Sequence, residues 1–235
     1  MSGEDEVRSP DDDSGHHRRV RSFVHRPGRL TPAQQRALED LLPAYRIDPD
    51  IPDLRQAFER SAGLVVEIGF GNGQALAWMA AQEPEKNFAG IEVHDPGVGR
   101  LLNALDDAGL DNVRVAKADA VEVLERQVLA GSLDEVRIYF PDPWPKKRHH
   151  KRRLIQPPFL DLISARLKPG GLLHLATDWA PYAEWMLEAI AATPALLNLG
   201  DPYVDRPTWR PGTHFEKRGL KRGHDIFDVL VKRAS

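Results

Sequence analysis

The chain has 235 residues, 41% hydrophobic and 29% charged, which supports one α/β domain with extensions and excludes two large ones. No apolar run approaches membrane-helix length, the acidic start does not read as a signal peptide, and the absence of cysteine excludes disulfides and thiolate metal sites, so a cytoplasmic location is expected. Net charge is −3, yet residues 1–15 hold six acids against one base, and beyond them 31 bases face 29 acids, so positive charge is local, as a nucleic-acid face requires.

In chain order, Met1–Gly15 lacks apolar content and is expected to be disordered. The organisation expected is a tail over 1–20, an arm with helices over 21–60 and a main domain over 61–235. Arg18, Arg19, Arg21, Arg26 and Arg29 make a basic arm that either contacts a polyanion or solubilises. Thr31 reads as the N-cap of a helix with Pro32 in its first turn. Pro43–Pro52 reads as a linker and Asp53–Arg60 as a second helix. Leu64–Ile68 is an apolar strand, followed by Gly69-Phe70-Gly71-Asn72-Gly73 and a helix over Gln74–Ala81. Strands over Phe88–Val93, Val113–Ala116, Val136–Phe140 and Leu172–Ala176 then alternate with helices over Pro96–Ala108, Ala120–Leu129, Pro157–Leu167 and Ala180–Ala191. Gly170-Gly171 reads as a turn. This alternation predicts a doubly wound, mostly parallel α/β sheet, completed by Ile226–Val231. Arg206–Arg222 reads as a long extended loop near the working face.

The most informative stretch is Ile138–Arg153, IYFPDPWPKKRHHKRR. Pro141 and Pro143 cannot continue a ladder, so Asp142 sits just past a strand end, where open α/β sheets hold their ligands. Trp144 offers an apolar face that either packs or stacks on a base. Lys146, Lys147, Arg148, Lys151, Arg152 and Arg153 follow, with His149 and His150 between them, and point to a polyanionic substrate. The histidines lack metal-ligand spacing with any other His or acid, so no metal site is expected. Trp179, Tyr182 and Trp185 read as packing residues.

The glycine loop alone is weak, because several nucleotide folds use one. Its surroundings narrow it. Gln74 stands where a dinucleotide pattern wants glycine, and Glu67 before the loop would repel pyrophosphate but attract an ammonium group. Glu92 ends the second strand, where an acid holds ribose hydroxyls. Asp119, past the third, could accept from an adenine amine. S-adenosylmethionine has adenosine, no phosphate and a cationic tail, and it satisfies all three. A nucleotide-binding oxidoreductase and a non-catalytic RNA-binding protein on the same scaffold are the alternatives.

Together, Val66–Gly73, Gly90–Val93, Phe140–Arg153, Ala176–Trp179 and Thr213-His214-Phe215-Glu216 resemble the bacterial tRNA (guanine-N7)-methyltransferases, from about residue 21 onward. The resemblance implies a Rossmann-like class I methyltransferase domain over 61–235 with an antiparallel C-terminal strand. It implies that Glu67, Gly69, Gly71, Gly73, Glu92, Asp119 and Asp142 contact S-adenosylmethionine, without a metal. It implies that Lys146, Asp178, Thr213, His214, Phe215 and Glu216 contact substrate, and that Arg148, His149, His150, Lys151, Arg152 and Arg153 contact RNA. The substrate implied is tRNA, at guanine 46 of its variable loop. Asp142 is the catalytic candidate. No obligatory partner subunit is expected, in a monomer or homodimer.

Overall fold

The computed structural model describes residues 28–235, so the expected tail and most of the basic arm lie outside the described residues. Thr31 caps α1 (Pro32–Arg36): its hydroxyl accepts from the Gln34 amide, and the Gln34 side chain accepts from the Thr31 amide. A π-helical turn (Ala37–Leu41) carries the helix into α2 (Leu42–Tyr45). Pro43 therefore opens a helical turn instead of starting a linker, a position that tolerates its missing N–H. The expected second helix shrinks to a 3₁₀ turn (Leu54–Ala57). Leu54 and Phe58 are both drawn into the core, and Phe58 is extended.

The sheet has β1 (Leu64–Ile68), β2 (Asn87–Ile91), β3 (Val113–Ala116), β4 (Leu133–Tyr139), β5 (Leu167–Thr177), β6 (Leu196–Asn198) and β7 (Phe227–Arg233), in the order β3-β2-β1-β4-β5-β7-β6. The first five pair in parallel, and β7 runs antiparallel to both β5 and β6. The order reverses beside β1, which puts the glycine loop at the switch point where such sheets bind ligands. The helices are α3 (Gln74–Gln82), α4 (Asp95–Ala108), α5 (Ala120–Gln127), α6 (Pro157–Arg166), α7 (Ala180–Ala191) and α8 (His214–Leu220). Every residue of β1 is buried, because helices cover both faces of the sheet. One apolar cluster packs β1, β4 and β5 against α5, α6 and α7, and another packs α3 and α4 on the opposite face.

Two further expectations need correction, and one strand was not expected. Gly170 and Gly171 lie inside β5, beside a register shift between Leu133 and Glu135 that absorbs the local irregularity. The short edge strand β6 gave no pattern of its own in sequence. The long loop over 206–222 contains α8, whose N-cap hydroxyl on Thr213 accepts from the Glu216 amide at 3.0 Å.

Candidate active site

The glycine loop joins β1 to α3 with Gly69, Gly71 and Gly73 all at positive φ, a conformation that costs a side-chain-bearing residue about 1–2 kcal/mol. Its backbone is also crowded, since a Cβ on Gly97 of α4 would lie 2.0 Å from the Gly71 carbonyl oxygen. Glu92, just past β2, braces the loop. One of its carboxylate oxygens accepts from the Gly71 amide at 2.9 Å, the other from the Val93 and His94 amides at 2.7 and 3.1 Å. Asp119 caps α5, accepting from the Val121 amide at 2.9 Å.

Glu67 is only 3% exposed, and one of its carboxylate oxygens is buried without a hydrogen-bond partner. Burial pushes its carboxyl up to about 8; the Arg137 guanidinium opposes this and Glu92 adds to it. Such an orphan is costly unless a ligand completes it.

Two cavities meet here. One, of about 300 Å³, is bordered by Gly69, Gly71, Glu92, Asp119 and Asp142. The other, of about 270 Å³, is bordered by Glu67, Asn72, Trp78, Thr213, His214 and Lys217. Gly69, Tyr139, Phe140 and Phe215 line both. Phe215 is half exposed and stacks on Phe140, with ring centres 6.4 Å apart.

Beyond β4 the backbone is strained. Phe140 and Trp144, neither a glycine, have φ of 54° and 44° and bracket Pro141-Asp142-Pro143. Asp142 is thereby held exposed at the cavity rim. Asp178, past β5, is half-buried and pairs with His224 at 3.2 Å.

The basic run forms a 3₁₀ segment (Lys147–Arg152), with Lys146, Lys147, Arg148 and Lys151 exposed. Arg152 lies over the Trp144 ring, 5.0 Å from its centre, so this indole carries a cation on one face. His149 meets the Trp144 edge, and desolvation together with the charges of Arg148, Arg152, Lys146 and Lys151 pushes its pKa down. Arg153 departs from the expectation for its run. It is 3% exposed, donates to the Pro143 carbonyl at 3.0 Å and lies over the Tyr182 and Trp185 rings, so it ties the loop to α7 instead of facing solvent. Trp185 itself donates to the Ile155 carbonyl at 2.6 Å, as expected of a packing residue.

Glu216 also differs from an open substrate contact. It is buried, with one oxygen accepting from Arg206 at 2.8 Å and the other from Arg210 at 2.5 Å. Arg210, 1% exposed, donates to both oxygens of Asp228 on β7, at 2.6 and 2.7 Å. Asp228 meets His174 at 2.8 Å, and His174 meets the Tyr139 hydroxyl at 3.0 Å. Burial acts to raise Asp228, but the bonds from His174 and Arg210 outweigh it and hold its pKa down. Burial likewise lowers His174. This network was missed in sequence. Its only signals were single polar residues, His174 and Asp228, inside otherwise apolar strands. Among the described residues no group of three or more His, Cys, Asp or Glu could hold a metal ion, and no helix is long and apolar enough to cross a membrane.

A seven-stranded sheet with acids at successive strand tips around a glycine loop defines a methyltransferase, and the family described as "Putative methyltransferase" matches residues 61–229. The 16S rRNA methyltransferase KamB aligns with a TM-score of 0.53 at 16% identity, covering 92% of this chain and 99% of that one. The aminoglycoside resistance methyltransferase NpmB1 aligns at 0.51 and 16%, covering 88% and 95%; both likenesses concern the fold. Among curated proteins, the tRNA (guanine-N(7)-)-methyltransferase of Xanthomonas euvesicatoria is 59% identical over 93% of this chain, which spans 65% of that relative's length. The protein of the same name from Halorhodospira halophila is 54% identical over 92% of this chain and 95% of its own. The chain belongs to the tRNA (guanine-N(7)-)-methyltransferase family.

Proposed function

We propose that the chain methylates N7 of guanine 46 in the variable loop of tRNA, with S-adenosylmethionine as donor, no metal and no obligatory partner subunit. The observation that carries this reading is the meeting of Glu67, Glu92, Asp119 and Asp142 around two cavities that share Phe140 and Phe215. Those residues fit a phosphate-free cation: the orphan oxygen of the buried Glu67 carboxyl is completed by an ammonium group, which favours its ionised form. Glu92 and Asp119 present carboxylates for the ribose hydroxyls and the adenine amine, and Glu67 holds the ammonium. When bound, the donor supplies an electrophilic methyl group on a sulfonium.

Guanine N7 carries a lone pair and no proton, so no general base is required, and the chain's task is alignment. Asp142 accepts from the guanine N1–H and amine donors and stabilises the positive charge that develops on the ring. Asp178 supports the same base from the next strand. Lys146, Lys147, Arg148 and Lys151 hold phosphates. The RNA-binding role expected of Arg153 passes to these exposed neighbours. Glu216 acts through the arginines that hold α8, and His214 and Phe215 present the exposed face of that helix.

The test combines purified protein, unmodified tRNA and methyl-labelled donor, with the modified base mapped. Label at a guanine N7 is expected, and Asp142→Ala should abolish transfer while tRNA binding largely survives. Near-normal turnover in that variant removes Asp142 from its role.

A further inference from the structure

A third cavity, of about 260 Å³, lies behind the loop that carries Asp142. One wall is a single face of α7, where Pro181, Glu184, Trp185 and Glu188 recur at helical spacing. The other wall is Pro145, His150 and Arg153 of the basic loop, and Trp179 closes the end nearest Asp178. The loop that bears Asp142 thus borders the donor cavity through Pro141 and Asp142 and this groove through Pro145, His150 and Arg153.

The walls differ in charge. Glu184 and Glu188 are exposed on the helix side, while the loop side is lined by His150 and the buried Arg153, and the exposed cations Lys146, Lys147, Arg148 and Lys151 of the same loop stand outside the lining. Between them sit the half-buried indoles of Trp179 and Trp185 and the His150 ring, which meets the Trp185 edge at 5.8 Å. An isolated phosphate would be repelled by the glutamates, and an acidic peptide likewise. A nucleotide fits this arrangement: base against Trp179, base amine donors toward the two carboxylates, and phosphate outside the groove toward the cationic loop that Pro145 begins.

We propose that this groove holds a second nucleobase of the tRNA, the neighbour of the target guanine, and so sets which guanine reaches Asp142. The proposal rests on the reading of the cleft as the tRNA methylation site. In it Trp179 serves as the stacking platform, while Trp185, covered by the Arg153 guanidinium, backs the wall. Glu184 and Glu188 favour a base that carries an exocyclic amine. By binding the flanking nucleotide, the groove orients the strand before the target base enters the cleft.

The experiment uses tRNA transcripts with an abasic nucleotide immediately 5′ or 3′ of the target guanine, and measures Kd by titration apart from turnover. One of the two abasic transcripts should bind the wild-type protein about tenfold more weakly, in line with the stacking of one base. The same lesion should cost less than about twofold in Trp179→Ala, because the platform it would lose is already absent. Glu184→Gln, on an exposed helix face, is a second variant that leaves the core intact. It should weaken intact tRNA only when the flanking base carries an amine. Equal affinity of wild-type protein for intact and abasic transcripts overturns the proposal, as does an undiminished lesion effect in Trp179→Ala. Failure of the wild-type protein to methylate intact tRNA would instead count against the reaction reading, which these affinities do not touch.

Discussion

With Glu67 as the proposed ammonium contact, donor binding becomes a proton-linked event. Its carboxyl is raised to about 8, chiefly by burial, so about a tenth of it is ionised at pH 7. A cationic donor completes only the ionised form, so apparent Kd scales as one plus the ratio of protonated to ionised carboxyl. That factor is about 100 at pH 6 and about 11 at pH 7, which makes binding about ninefold tighter at the higher pH. The window stops near pH 7 because the donor's own amino group titrates just above it. Titration calorimetry in buffers of different ionisation enthalpy should count about 0.9 proton released per donor at pH 7. Glu67→Gln should bind more weakly, with neither the proton release nor the pH slope. Folding of the free protein carries the opposite slope. The folded carboxyl keeps its proton between about pH 4.5 and 8 while the unfolded one has lost it, so stability falls with rising pH by about 1.4 kcal/mol per unit in that window. Arg137 on β4 and Glu92 face this group and are the neighbours whose replacement should move the window, Arg137→Met upward and Glu92→Gln downward. A flat affinity between pH 6 and 7 with no proton released would refute this reasoning.

The other predictions test the frame around that group. Gly97→Ala drives a methyl into the Gly71 carbonyl and should cost about 1–3 kcal/mol by denaturant melt, with donor Kd rising because Glu92 braces the same loop. Arg210→Lys keeps the charge but loses the planar fork that spans Asp228 and Glu216. Hydrogen exchange should speed up in α8 while β5 and β7 stay protected, and kcat should fall about tenfold or more. Neutralising Lys146, Lys147, Arg148 and Lys151 together should reduce the slope of log affinity against log salt by about three to four, whereas neutralising Arg153 alone should lower thermal stability with little change in that slope.

The parts legible in sequence were those specified locally. β1, β2, β3 and β4 announced themselves as apolar runs, and Asp142 was set past its strand by Pro141 and Pro143, which cannot continue a ladder. Thr31 worked as a cap because its partner, Gln34, is three residues away. Features set by distant partners were not legible. Arg210 owes its burial to Asp228, eighteen residues on, and Arg153 owes its own to Tyr182 and Trp185. A sequence run of cations does not reveal which member turns inward. The helix α8 was hidden by Pro207, Pro211 and Gly212 before it, although Thr213-x-x-Glu216 is a capping signal that could have revealed it.

The bond between Arg210 and Asp228 also fixes when the support of α8 can be completed. Strands β1 to β5 can assemble as synthesis proceeds, but the clamp on α8 stays incomplete until residue 228 has left the ribosome and β7 has inserted between β5 and β6. A nascent chain therefore carries its cationic loop before that clamp can close. The last strand of the sequence is thus also the last part of the frame around the site to be put in place.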